Sequence, residues 1–184
     1  MSIFKKIKQN QGQSIVETLI AVGVIIVGVV GVLSLVVGAS SAGKVSKEVI
    51  IGTNLAREGT EVVRSLRDNN WMQEKSWMEG IIQGGDERYC RAIFNPQQNS
   101  WSLDSISATD LFDNQYKLYF SDYYNHSGQG RDTGFFRQIL IKKNSSEIDE
   151  LQVTVKTGWL QNGKQKEIVI EDVLTDWLAQ GQAE

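Results

Sequence analysis

The stretch KQNQGQSIVETLIAVGVIIVGVVGVLSLVVG (Lys8–Gly38) decides the architecture of this chain. From Thr18 to Gly43 no residue is charged, a run of 26 positions. As a helix it extends about 39 Å, more than the roughly 30 Å hydrocarbon core of a bilayer, so it reads as a membrane segment. Yet the run begins with a carboxylate, Glu17, five residues after Gly12, and an acid within a membrane helix costs about 2.5–3.5 kcal/mol on the insertion scale. Lys5, Lys6 and Lys8 precede the run and the bulk of the chain follows it. The positive-inside bias therefore leaves the N-terminus in the cytoplasm and exports the remainder. A secretory signal peptide shares the basic start, and Val37–Lys44 is rich in small residues, but such apolar regions span only about 7–15 residues.

Past the run, KVSKEVIIGTNLAREGTEVVRSLRD (Lys44–Asp68) keeps a helical period. Val45, Val49, Gly52, Ala56, Gly59, Val63 and Leu66 recur at steps of four and three, while most charges fall elsewhere. The helix is expected to continue without a break and become amphipathic. Gly52 and Gly59 each cost about 1 kcal/mol relative to Ala in a helix interior, which implies that another backbone packs closely against them. The bland alternative is a surface helix with two poor residues.

After Asn70 the period becomes two. Arg88–Phe94, Tyr116–Phe120, Phe135–Ile141, Glu150–Trp159 and Lys166–Ile170 alternate or are rich in aromatic and β-branched residues, as half-buried strands are. Asn162-Gly163 marks a two-residue hairpin. Phe135 to Ile170 is expected to form a three-stranded antiparallel meander. Its apolar face, built from Ile139, Ile141, Val153, Val155, Ile168 and Ile170, would be covered by the amphipathic helix. The fold class is α+β. Asp122–Gly134 reads as a surface loop, and of the five tryptophans Trp71 and Trp77 as the exposed pair, the others filling the core.

Composition excludes several functions. The net charge is −3, and −6 once Lys5, Lys6 and Lys8 are set aside, 16 basic against 22 acidic residues; nucleic acid is not an expected partner. One cysteine, Cys90, allows no internal disulfide and no multi-cysteine metal site, and its strand setting suggests a small apolar residue. The single histidine, His126, stands in the Gly-rich loop near Asp122, Asn125 and Asp132, at spacings that fit no calcium motif. There is no nucleophile elbow, phosphate loop or acid–histidine cluster. No enzyme, cofactor or metal is expected.

A basic leader ending in Gly12, an acid at Glu17, an apolar helix that turns amphipathic and a β-rich head together resemble the type IV pilin superfamily, including the pseudopilins of secretion and competence systems. The resemblance covers the whole chain in architecture. It implies a leader at 1–12, a transmembrane half at 13–43, an amphipathic half at 44–70 and a head at 71–184. It further implies cleavage after Gly12 by prepilin peptidase and N-methylation of Gln13. Glu17, the fifth mature residue, would pair with the amine of Gln13 in a neighbouring subunit. The implied partners are that peptidase, other pilin subunits, an inner-membrane assembly platform and the bilayer; the implied location is the cytoplasmic membrane, then an extracellular filament.

Within the superfamily, Asn54–Trp71 and the C-terminal LQVTVKTGW and KEIVIEDVLTDW resemble minor pilins of the V type and secretion pseudopilins of the I type. The chain departs from the major-pilin pattern in three respects: Gln13 replaces the common Phe or Met, the membrane half has no proline, and no C-terminal disulfide loop is possible. Some pseudopilins bind calcium in an oxygen-rich loop. Two other classes share part of this pattern: a monomeric membrane-anchored binding module, which has no need of Glu17, and a secreted β domain that loses the whole apolar run.

Overall fold

The computed structural model describes residues 11–83, 85–145 and 149–176; Lys5, Lys6, Lys8 and Trp177 lie outside the described residues. One helix, α1 (Gln11–Met72), is followed by seven strands: β1 (Glu87–Asn95), β2 (Ser100–Ser105), β3 (Lys117–Phe120), β4 (Tyr124–Asn125), β5 (Arg131–Ser145), β6 (Asp149–Gln161) and β7 (Lys164–Thr175). The fold is α+β, a long N-terminal helix with an antiparallel sheet. The chain separates into two compact units, Met1–Ser46 and Lys47–Glu184. The head unit thus includes the second part of α1, the element that its sheet needs as a cover.

β5, β6 and β7 form the expected meander, with every strand longer than the alternation suggested. Asn162 and Gly163 carry φ of 51° and 74°, both in the left-handed region that a primed two-residue turn requires. The other edge of β5 is shared. β1 pairs along Glu87–Cys90 with Ile139–Lys142, and β3 takes the edge from Phe136 to Arg131.

Alternation places Phe135, Arg137, Ile139 and Ile141 of β5 beside Trp159, Thr157, Val155 and Val153 of β6 on one face. Residues 47–72 of α1 cover that face: Leu55, Ala56, Val62 and Val63 are buried, with Ala56, Val62 and Val63 in one cluster with Ile139, Ile141, Val153 and Val155. Ile168 and Ile170 pack at its margin. The two helix glycines sit at the contact, as their cost implied. A Cβ on Gly52 would lie 2.8 Å from the Trp159 ring, and one on Gly59 2.8 Å from Val155 Cγ1. The close neighbours are β6 side chains, however, and not another backbone. Between these contacts α1 advances seven residues, about 10.5 Å, and β6 retreats four, about 13 Å; helix and strand therefore run side by side in opposite directions.

Polar ties set the helix's position on the sheet. Gln161 Nε2 donates to Glu48 Oε2 at 2.8 Å, Arg64 Nε to Asp172 Oδ2 at 2.9 Å and Trp71 Nε1 to Asp176 Oδ1 at 3.2 Å. Between them the fully buried Arg137 guanidinium meets Glu58 Oε1 at 3.0 Å. A buried cation without such a partner would be strongly destabilising.

The far face is covered in part by the segment before β3. Leu111, Tyr116 and Phe136 form a small cluster there. Gly158 makes room for it, since a Cβ at that position would fall 2.8 Å from Phe112.

Three expectations need correction. Trp77 is not exposed but buried, and Trp71 is half-buried under the Arg67 guanidinium, 4.6 Å from its ring centre. The chain after α1 folds back: Asn70 Nδ2 donates to the carbonyls of Trp77 (3.1 Å) and Glu79 (2.8 Å). The buried Arg88 grips the carbonyls of Gly80 (2.6 Å) and Ile81 (2.7 Å), which seats Trp77 and Ile81 in the main core. Secondly, Asp122–Gly134 is not all loop, because it contains β4 and the start of β5, and Ser100–Ser105 forms a further strand. Thirdly, the stripe positions Val45 and Val49 stay exposed; burial begins at Gly52, opposite Trp159.

Gly59→Ala is expected to lower the melting temperature of the head. It would gain about 1 kcal/mol in helix propensity, but overpacking against Val155 costs about 1–3 kcal/mol. The cost should shrink in a Val155→Ala background, a coupling that a double-mutant cycle by thermal melting reads directly.

Candidate functional site

The residues singled out for processing and assembly lie at the start of α1. Gly12 and Gln13 fall in its first turn. Glu17 is four positions beyond Gln13, so positions 13 and 17 share a helix face, and its side chain is exposed. Among the described residues Glu17 has no ion-pair partner.

Above Glu17 every described side chain as far as Lys47 is exposed. Val27 shows 74% of its surface and Leu35 75%. Each such side chain gains about 1.5–3 kcal/mol on leaving water, so a row of this length needs a lipid or protein environment. The helix is long and apolar enough to cross a membrane. Its surface carries shallow notches, one bounded by Ile15, Leu19 and Val22 and another by Ile25, Val29 and Val32 around Gly28. A Cβ on Gly28 would meet nothing within 4 Å. Small residues with open space beside them are the sites where membrane helices approach one another.

In the head, Cys90 is fully buried, its Sγ 3.5 Å from the Ile139 carbonyl. Desolvation pushes its thiol up to about 12, which keeps it protonated and unreactive. Of the oxygen-bearing side chains near His126, those of Asn125 and Asp132 are engaged internally. Asn125 Oδ1 accepts from Ser127 N (3.1 Å) and Oγ (2.7 Å). Asp132 accepts from Gly134 N at 2.9 Å and pairs with Lys117 Nζ at 2.7 Å, and the Lys117 ammonium holds its carboxyl below the usual range. Among the described residues no group of three His, Cys, Asp or Glu side chains is placed to hold a metal.

His126 is built into the fold. Its Nδ1 lies 3.0 Å from the Lys117 carbonyl; because a carbonyl only accepts, Nδ1 carries the proton. Nε2 is sealed from solvent without a partner. Burial, reinforced by the Arg137 and Arg91 charges, pushes the imidazole down to about 3, so it is neutral near pH 7.

Two features escaped sequence reading. Arg137 occupies a core-facing position in FFRQILI, in step with Phe135 and Ile139; its parity was legible, but its partner Glu58 lies 79 positions away. The second is a cleft between β1 and β4, which arises only from how strands share an edge. No family model, curated protein or solved structure matches the chain.

The His126 shift carries a pH dependence with a definite sign. The folded state resists protonation until about pH 3, whereas an unfolded imidazole takes a proton near pH 6.5. Below pH 6.5 the unfolded state binds more protons, and stability falls by up to about 1.4 kcal/mol per pH unit. Thermal melts between pH 6.5 and 5.0 should therefore show falling stability, and His126→Gln should flatten that slope while leaving the plateau above pH 7 level.

Proposed function

We propose that the chain is a non-catalytic subunit of a type IV pilin-like filament, as body or tip. In this reading it is inserted as a precursor, cut after Gly12 and N-methylated at Gln13. The helices of residues 13–43 would form the filament's core and the heads its exterior. What carries the reading is Glu17: a carboxylate, without a partner among the described residues, at the head of an exposed 26-residue uncharged run.

A lone anchor has no use for that acid. In a bundle of like helices, the carboxylate of one subunit would face the positive amine that cleavage creates on Gln13 of the next. Opposite charges in a low dielectric attract strongly enough to offset part of the desolvation of each. The pair would then set the axial stagger between subunits, because a carboxylate slid away from its amine stays desolvated and unpaired. Lys5, Lys6 and Lys8 would hold the precursor's leader in the cytoplasm. Prepilin peptidase, an assembly platform in the membrane and other subunits of the filament are the partners this route requires.

Processing is tested by the intact mass of membrane-extracted protein made with an active and with an inactive prepilin peptidase. The expected product lacks residues 1–12 and carries one added methyl, only with the active enzyme. Loss of the whole apolar run regardless of that enzyme would identify an ordinary signal peptide and overturn the reading. Assembly is tested with Glu17→Ala, which should be cut normally yet be absent from sheared filaments; incorporation at the wild-type level would leave the pairing without support.

A further inference from the structure

The shared edge of β5 has a consequence at the head surface. Beyond Cys90, β1 would continue along β5, but β3 already holds that edge from Phe136 to Arg131. β1 therefore leaves β5 and stays paired with β2 alone, from Arg91↔Asp104 to Asn95↔Ser100. Between the departing ribbon and the β4 turn lies a cleft of about 180 Å³, with Arg91, Ile93 and Phe94 on one wall and the turn from Tyr123 to Ser127 on the other.

Its chemistry is specific. Arg91 Nε and Nη2 both donate to Asp104 Oδ2 (3.1 and 2.9 Å), and Nη1 donates to the Gln115 carbonyl at 3.0 Å. A guanidinium has five N–H groups, so two remain, one on Nη1 and one on Nη2, and the ion pair with Asp104 cancels its charge. Arg91 thus brings donors to the cleft without bringing net charge. Adjoining them is an aromatic cluster: Phe94 contacts Trp101 with ring centres 5.0 Å apart and Tyr123 edge-on at 5.3 Å, and all three rings are partly exposed. A neutralised pair gives neither an anion nor a cation much net attraction. Neutral acceptors such as hydroxyls suit these donors, and the aromatic carbons suit a C–H face. The volume lies below the roughly 300 Å³ at which drug-sized sites begin, which limits the occupant to a single ring.

We propose that this cleft binds one pyranose ring of a carbohydrate, with vicinal hydroxyls accepting from the two spare N–H groups of Arg91 and the ring's C–H face toward Phe94 and Tyr123. No residue of α1 lines the cleft, and sugar binding there does not rest on filament assembly.

The test uses the full-length protein in a detergent without a sugar headgroup, titrated separately with glucose, galactose, mannose and N-acetylglucosamine while the Trp101 indole signal is followed by NMR. At least one sugar should give a saturable shift. Arg91→Lys keeps the charge but loses the planar fork, and should weaken that binding about tenfold or more. Tyr123→Leu, which leaves the Arg91–Asp104 pair intact, should weaken it as well and decides the matter if Arg91→Lys disturbs the fold by thermal melt. No saturable shift with any of the four sugars, or wild-type affinity in the folded variants, overturns the proposal.

Discussion

A single antiparallel sheet with one apolar face has to be covered, and in this head the cover is one stretch of helix, residues 47–72 of α1. The contact depends on how closely the helix can approach β6. Gly52 opposite Trp159 and Gly59 opposite Val155 remove the side chains that would hold the two apart. Their spacing matches the advance of a helix against the retreat of a strand, so both contacts form in one register. Much of the head follows from it. Leu55, Ala56, Val62 and Val63 reach the core because the helix lies low, and the polar ties at Glu48, Glu58, Arg64 and Trp71 fall where sheet partners meet them.

Charge in a low dielectric is the second constraint. In the head, Arg137 is withdrawn from water and is answered by Glu58 across the helix–sheet contact. The pair is worth less as a source of stability than as a constraint on position, since either charge alone would be costly there. In the proposed filament Glu17 would meet the same physics, having no answering cation among the described residues. The proposed filament supplies that cation from a neighbouring subunit, so one chain would use charge pairing within its head and between its helices for the same purpose.

The long β5 strand imposes a third condition. With fifteen residues it offers more edge than one partner occupies, and the β1–β2 and β3–β4 hairpins divide it end to end. Where one partner gives way to the next, a strand must leave the sheet, and a ribbon leaving a sheet exposes a wall that would otherwise be covered. The cleft beside Arg91 is the result. Neighbouring strands and turns spend their own polar groups on one another, as His126 does on Lys117 and Asn125 on Ser127, while Arg91 keeps two N–H groups to spare.

By itself the sequence determined the α+β class, the uncharged helix and its amphipathic continuation, the β5–β7 meander with its Asn-Gly turn, and the buried role of Cys90. These follow from local composition and period, which need no knowledge of distant residues. The tertiary structure alone decided what faced what. Trp77 read as exposed because its neighbours are polar, and it is buried because Asn70 and Arg88 fold its segment back. The glycines of α1 foretold a close contact, yet only the packed sheet identified the partners as Trp159 and Val155. Arg137 needed Glu58, 79 positions earlier, and the Arg91 cleft needed two hairpins to meet on one edge. Such features arise from which elements share an edge or a face, and a period read along the chain carries no information about that choice.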